Sequence, residues 1–330
     1  MKILVSLILA WLAGAQALAC DVDRPIVFAG LDWDSVGFHN AVARRILEDG
    51  YGCTTDVIPG TTIPLLQGVA QGDVDIAMEV WKDAVTDVWQ RALKRGQVVE
   101  IGVNFPDAVQ GWYVPRYVAN ELAPDLKSVA DLVRYKALFA DPEEPGKGRF
   151  YNCVAGWSCE VVNTNKLRAY GLADHFTNVR PGTGAALAAA VTGAVLRREP
   201  IVFYYWSPTW LLGAHDFVRL AEPAWNAEDW AALASDPRHP RAVAYPPVEV
   251  WIGANAAFAA KTPAVVAFLA KYRTSAAMIN AVLADIRATR SDDAAAAIKF
   301  LKDNPALWRS WVDAAAADKI QAKLPPSLDR

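Results

Sequence analysis

Histidine, cysteine and surplus positive charge are all scarce in this 330-residue chain, and each scarcity closes off a class of function. The four His (His39, His175, His215 and His239) lie far from one another and from the four Cys. No set of them has the spacing of a zinc site, so no metal and no cofactor is expected. Lys and Arg total 33 against 36 Asp and Glu, with no basic stripe, which argues against nucleic acid as a partner. Neither H-E-x-x-H nor a phosphate-binding P-loop occurs. The segment nearest to a nucleophile elbow, Gly156-Trp157-Ser158-Cys159-Glu160, lacks the closing Gly. With Cys159 expected in a disulfide, a thiolate nucleophile is not expected either, and no residue is assigned to catalysis. Past the first residues, no apolar run approaches the ~20 residues that a membrane-spanning helix takes.

The start of the chain does carry a signal. Lys2 is the only charge before an apolar run from Ile3 to Leu12, and Ala17-Leu18-Ala19 follows. That order of charge, apolar core and small residues marks residues 1–19 as a secretory leader. Cleavage after Ala19 leaves Cys20 first, where a lipid anchor could attach. Lipoprotein leaders usually carry Leu three places before that Cys, and here the residue is Ala17, which favours soluble export to the periplasm. In an exported chain disulfides are the default. Cys153 and Cys159 would staple a short loop. Cys20 and Cys53 precede two expected strands, Ile26–Ala29 and Thr55–Ile58, and would meet at one sheet edge if those strands are parallel neighbours.

Short apolar runs alternate with amphipathic stretches, the pattern of an α/β fold. A helix is expected over Val36–Asp49 with Ser35 as its cap, another over Thr61–Gln71, and a third strand at Asp75–Glu79 followed by Trp81. The extended aromatic run Trp112-Tyr113-Val114-Pro115 reads as a crossover to a second unit. That unit holds helices near Ser128–Tyr135, from Ser158 to Tyr170 and over Thr183–Arg198, and a strand at Ile201–Tyr205. Turn residues from Glu222 to Pro247 read as the return crossing, and Val248–Ala254 as a strand. C-terminal helices begin at Thr262-Pro263 and are capped at Ser275 and Ser291. One lobe is therefore expected over 20–112 and 223–330, and a second over 113–222, with the ligand cleft between them.

Tryptophan is abundant: thirteen residues, one of them in the leader. Trp89, Trp230, Trp308 and Trp311 sit on helical faces and read as core. Trp33, Trp81, Trp157 and Trp206 instead sit at strand ends or in loops beside small and turn-forming residues. In α/β sheets ligands bind beyond the carboxyl ends of strands, and Trp33 and Trp81 are both placed there. Indole faces suit a quaternary ammonium, which has no hydrogen to donate and spreads its charge over methyl groups. Each desolvated contact of this kind is worth about 2 kcal/mol.

Three segments resemble the glycine betaine/proline betaine/choline-binding proteins of ABC transporters: Gly156-Trp157-Ser158-Cys159-Glu160, Pro200 to Trp210 (PIVFYYWSPTW), and Asp75 to Trp81 (DIAMEVW). Phe300 to Asn304 with Trp308 and Trp311 also fits. The resemblance covers nearly the whole chain after the leader. It implies a two-lobed type II periplasmic binding protein fold that closes on its ligand, a monomer working with an inner-membrane permease. It implies a cage of Trp81, Trp157 and Trp206, with a ligand carboxylate held by the backbone N–H groups of Ser158 and Cys159. Those amides open the helix expected from Ser158, and a helix N-terminus is an anion site. In a choline-binding branch a first-loop aromatic joins the cage, which maps to Trp33, and Tyr113 or Trp112 could complete it. One branch also has a His four residues after the first cage Trp, where this chain has Val85. Glu79, Asp83, Asp34 and Glu160 surround the candidate cage; most of them are expected to be solvated or capping residues, and one facing the ligand would favour choline or trimethylamine N-oxide.

Overall fold

The computed structural model describes residues 20–82, 86–155, 157–235, 241–246 and 248–326. The leader lies outside them. In chain order, strand β1 (Ile26–Leu31), helix α1 (Asp34–Gly50), β2 (Thr55–Gly60), α2 (Thr62–Gln71), β3 (Ile76–Trp81) and α3 (Thr86–Lys94) build an open α/β unit. The long β4 (Val98–Pro115) follows, then a π turn at Val118–Leu122 and a 3₁₀ turn at Val129–Tyr135. A second α/β unit contains β5 (Gly148–Tyr151), α4 (Ser158–Ala169), β6 (Phe176–Val179), α5 (Gly184–Arg197), β7 (Val202–Ser207), α6 (Trp210–Ala214) and β8 (Phe217–Arg219). The chain then returns through α7 (Ala227–Ser235) to β9 (Val248–Asn255). Six helices close it: α8 (Ala256–Lys261), α9 (Pro263–Lys271), α10 (Ala276–Thr289), α11 (Asp293–Asp303), α12 (Pro305–Arg309) and α13 (Ala314–Lys323).

The strand order is β2-β1-β3-β9-β4-β7-β5-β6, with β8 also on β4. The first unit has parallel β2-β1-β3 and an antiparallel β9, and the second has parallel β7-β5-β6. β4 joins them. It pairs antiparallel with β9 from Val98 to Ala108, then with β7 from Val109 to Tyr113. Its pairing with β9 shifts register at three points around Gly102, Asn104 and Pro106. Such bulges are how a strand tolerates Gly and Pro.

Side chains on β4 alternate between faces, as in any strand. Trp112 goes into the core under α4 with Phe150 and Leu167, and Tyr113 into the core under α5 with Leu187 and Phe203. In the first unit Phe28, Phe38 and Ile46 pack with Phe300, Trp308 and Trp311 from the C-terminal helices. Trp89, Trp308 and Trp311 are buried, as core packing requires, and Trp230 is half-buried against the second core. Gly253 makes room for one of them: a Cβ there would lie 2.4 Å from the Trp89 ring.

Both disulfides are formed, Cys20–Cys53 with Cα atoms 4.8 Å apart and Cys153–Cys159 at 5.8 Å. The first sits where parallel β1 and β2 begin together, Ile26 opposite Thr55. Capping differs from expectation at three helices. Trp33, not Ser35, is the N-cap of α1, Trp157, not Ser158, is the N-cap of α4, and Asp292, not Ser291, caps α11 by accepting from the Ala295 N–H at 2.7 Å. Asp292 stands one residue nearer the helix, so its carboxylate reaches an N–H that the Ser291 hydroxyl cannot.

Candidate ligand-binding site

A cleft of about 1440 Å³ lies between the lobes, wider than the ~300–1,000 Å³ of a closed small-molecule pocket. Trp33 enters it from the turn between β1 and α1. Trp157 enters from the loop before α4, and Trp206 from the end of β7. The three indoles meet across the cleft. Trp157 lies 6.4 Å from Trp33 and 5.3 Å from Trp206, at interplanar angles of 72° and 75°. Walls set this steeply form corners, and a corner presents two π faces to one rounded cation. Trp81 does not line the cleft. It is buried just behind, edge-on to Phe105 at 5.9 Å, in a cluster against which Trp33 and Trp206 pack.

Two of these tryptophans occupy helix N-cap positions, where Ser, Thr, Asp or Asn would normally accept a backbone N–H. Neither Trp33 nor Trp157 makes a side-chain cap. The first N–H groups of α4, those of Ser158 and Cys159 among them, thus have no cap beside the Trp157 ring, and the helix dipole adds partial positive charge there. The Cys153–Cys159 bridge closes the loop that carries Trp157. At the N-terminus of α1, Asp34 supplies a negative charge instead.

Trp206 is fixed from both sides. It stacks on Tyr205 at 4.6 Å, and the turn after it is held by Asn280 of α10. The Asn280 amide oxygen accepts the Thr209 N–H at 2.6 Å, and its NH₂ donates to the Ser207 hydroxyl at 3.0 Å. Tyr205 and Trp210 also line the cleft, and the Arg287 guanidinium lies 4.8 Å above the Trp210 ring. Asp34 opens on the same space. Desolvation by the cleft walls raises its carboxyl, and Arg287 pulls it back.

Glu79 is neither solvated nor a cap. It lies inside β3 at 1 % exposure, and its Oε2 accepts the indole N–H of Trp33 at 2.8 Å and of Trp81 at 2.9 Å. Oε1 faces His39 Nε2 at 3.9 Å, and His39 Nδ1 shares a hydrogen bond with the Tyr272 hydroxyl at 2.8 Å. Burial raises the Glu79 carboxyl and lowers His39 to about 3; the Ser35 hydroxyl and the Trp33 and Trp81 indoles oppose the shift at Glu79. Glu160 is engaged elsewhere, in an ion pair with Arg180 at 2.6 Å and accepting from the Thr164 hydroxyl at 3.0 Å.

The four expected tryptophans are thus brought together, three in the cleft and one directly behind. Tyr113 is not with them: strand alternation turns it into the α5-side core, where it stacks on Phe203 at 6.1 Å and burial pushes its hydroxyl up to about 12. Trp112 is wholly buried on the opposite face and donates to Asn163 Oδ1 at 2.8 Å. Asp83, Val85 and Gly156 lie outside the described residues. Tyr205, Trp210, Arg287 and Phe105 were not expected at the site. The first lies in the run Ile201–Tyr205, where the side-chain alternation of a strand could have pointed to it.

Residues 24–303 match the family described as the substrate-binding domain of ABC-type glycine betaine transport systems. The chain belongs to that family. It is 26% identical over 316 residues to the trimethylamine N-oxide-binding protein of Pelagibacter ubique, covering 93% of this chain and 98% of that one. It is 25% identical over 259 residues to the glycine betaine/proline betaine-binding periplasmic protein of Escherichia coli, covering 76% and 77%. An ABC-transporter choline-binding protein solved with choline shares the fold, with a TM-score of 0.71 and 19% identity, over 93% of this chain and 99% of that one. The two-lobed architecture expected for this family is the one observed. Among the described residues, no helix is long and apolar enough to cross a membrane, and no cluster of His, Cys, Asp and Glu could hold a metal.

Proposed function

We propose that this protein captures a quaternary-ammonium compatible solute, glycine betaine first, and delivers it to an ABC permease from the periplasm. The observation that carries this is the meeting of Trp33, Trp157 and Trp206 at steep angles in the cleft, beside the uncapped N-terminus of α4. The methylated head sits among the indoles, with Trp81 behind them. The carboxylate takes the backbone N–H groups of Ser158 and Cys159. Tyr113 supports the lobe 2 core from which Trp206 emerges. The division into lobes at 20–112 with 223–330 and 113–222 is kept, with the first crossing inside β4. The protein acts as a monomer and in a binding rather than a catalytic role: the indoles and backbone amides supply contacts for binding. Cys20 is bound to Cys53, and the thioether of a lipid anchor would need the same sulfur, which supports soluble export after cleavage of 1–19.

Asp34 favours a second reading. An acidic group beside Trp33 in the cleft suits a ligand with no carboxylate of its own, such as choline or trimethylamine N-oxide. Isothermal titration calorimetry of the mature protein against glycine betaine, choline, carnitine, trimethylamine N-oxide and dimethylglycine separates them. Glycine betaine binding tightest supports the first reading. Choline or the N-oxide binding tightest supports the second, and silence across the panel removes both.

A further inference from the structure

A buried carboxylate with an apolar alternative needs a reason, because an ion held inside a protein is costly unless hydrogen bonds satisfy it. Glu79 lies between Met78 and Val80, both fully buried, in a strand whose every residue is buried. An aliphatic residue there would pack without that cost. What the acid gains is unusual: one oxygen, Oε2, accepts both the Trp33 and the Trp81 indole N–H groups. Trp81 is two residues further along β3 and so projects from the same side of the strand. Trp33 arrives from the β1–α1 turn, 46 residues earlier. The rest of each ring is held by apolar and edge-to-face aromatic contacts, which tolerate a wider range of ring angles than a hydrogen bond to the N–H edge does. Because both N–H edges converge on one atom, neither ring turns independently of the other. The other oxygen faces His39, which is tied to Tyr272 in the lobe 1 core, so the acid has a fixed neighbour behind it.

We propose that Glu79 is the positioning residue of the aromatic cage: one buried oxygen sets the angle of Trp33 toward the methylated head of the ligand and holds Trp81 in place behind it. This rests on the quaternary-ammonium reading above. Glu79 does not touch the ligand and acts through the two rings. It serves the cationic head, which glycine betaine, choline and trimethylamine N-oxide share, so its loss weakens all three by a similar factor.

The test combines calorimetry with these three ligands on the wild type, Glu79→Gln and Glu79→Leu, and the indole N–H resonances of Trp33 and Trp81 assigned with Trp33→Phe and Trp81→Phe. The amide oxygen of Gln can take both N–H groups, so Glu79→Gln is expected within about threefold of the wild type. Glu79→Leu, with no acceptor, is expected to bind every ligand roughly tenfold or more weakly, about 1.4 kcal/mol. In the wild type both indole N–H signals are expected downfield and protected from exchange. Wild-type affinity in Glu79→Leu, an equal loss in Glu79→Gln, or indole signals resembling those of solvent-exposed rings would each overturn the proposal. If Glu79→Leu does not fold, Glu79→Gln and the wild-type spectrum still decide it. A wild type that binds none of the ligands would sink the quaternary-ammonium reading instead, and the indole signals would still report whether Glu79 holds the rings.

Discussion

Trp157→Ala removes the indole at the centre of the cleft, the one that touches both Trp33 and Trp206. One desolvated cation–π face contributes about 2 kcal/mol, which corresponds to roughly 25-fold in Kd. Two edge-to-face contacts are lost as well, each worth about 0.5–1.5 kcal/mol to the arrangement of the remaining rings. Part of that loss falls on the unliganded protein, so about tenfold is the smallest weakening consistent with the geometry. Folding is little affected, because Trp157 is only partly buried and stands at a helix cap that it does not fill. Trp308→Ala provides the contrast. That indole is wholly buried and donates to the Leu301 carbonyl at 2.7 Å, so its removal costs about 3–5 kcal/mol of stability and leaves the cleft alone. Calorimetry and thermal melting on both variants read the two effects separately. Trp157→Ala binding as tightly as the wild type would refute the cage, however the protein melts.

Two further predictions concern buried charge. Lys166 of α4 forms a buried ion pair with Glu222 on the return crossing, and its ammonium lies 4.3 Å above the Tyr245 ring. Glu222→Gln strands that ammonium and is expected to lower unfolding stability by about 3–5 kcal/mol, read from denaturant melts at neutral pH; an unchanged midpoint would contradict the pairing. His39 is lowered to about 3 by burial, against about 6.5 in the unfolded chain, so between those values only the unfolded state takes up its proton. Its contribution to stability is therefore complete above about pH 6.5 and is lost as pH falls, by up to about 1.4 kcal/mol per pH unit. Glu79, which burial raises, acts in the opposite sense, so the comparison is with His39→Gln. The wild type should lose stability relative to that variant from pH 6.5 to 4.5, and parallel curves would contradict a neutral buried His39.

The cage was legible in the sequence for a physical reason. Trp33, Trp81, Trp157 and Trp206 stand where strands and loops end beside Asp, Ser, Pro and Gly, and large aromatics in such places are poorly explained by core packing alone. β1, α1, β3, β7 and β9 were legible because their apolar periods are unbroken, and β2 because Thr55, Val57 and Ile58 are β-branched and end at Pro59-Gly60. β4 was read only at Trp112–Pro115, because Gly102, Pro106 and Gly111 interrupt its pattern and the bulges that absorb the first two depend on its pairing with β9. Tyr113 was misplaced for the same reason: without the strand's full extent, its face could not be assigned. The two Trp N-caps run against capping preference, so Ser35 and Ser158 looked the better candidates. In the sequence, nothing distinguishes Glu79 from a solvated or capping acid. Only the folded arrangement places two indole donors around it.

The central claim is that the ligand's positive charge, and not only its shape, is recognised by the indole faces. Calorimetry of the mature protein with glycine betaine and with tert-butylacetate, which has the same outline but carbon in place of the charged nitrogen, tests it directly. Micromolar binding of glycine betaine, about -8 kcal/mol, is expected, with tert-butylacetate weaker by roughly 25-fold or more. Equal affinity for the two, or no binding of either, would contradict it.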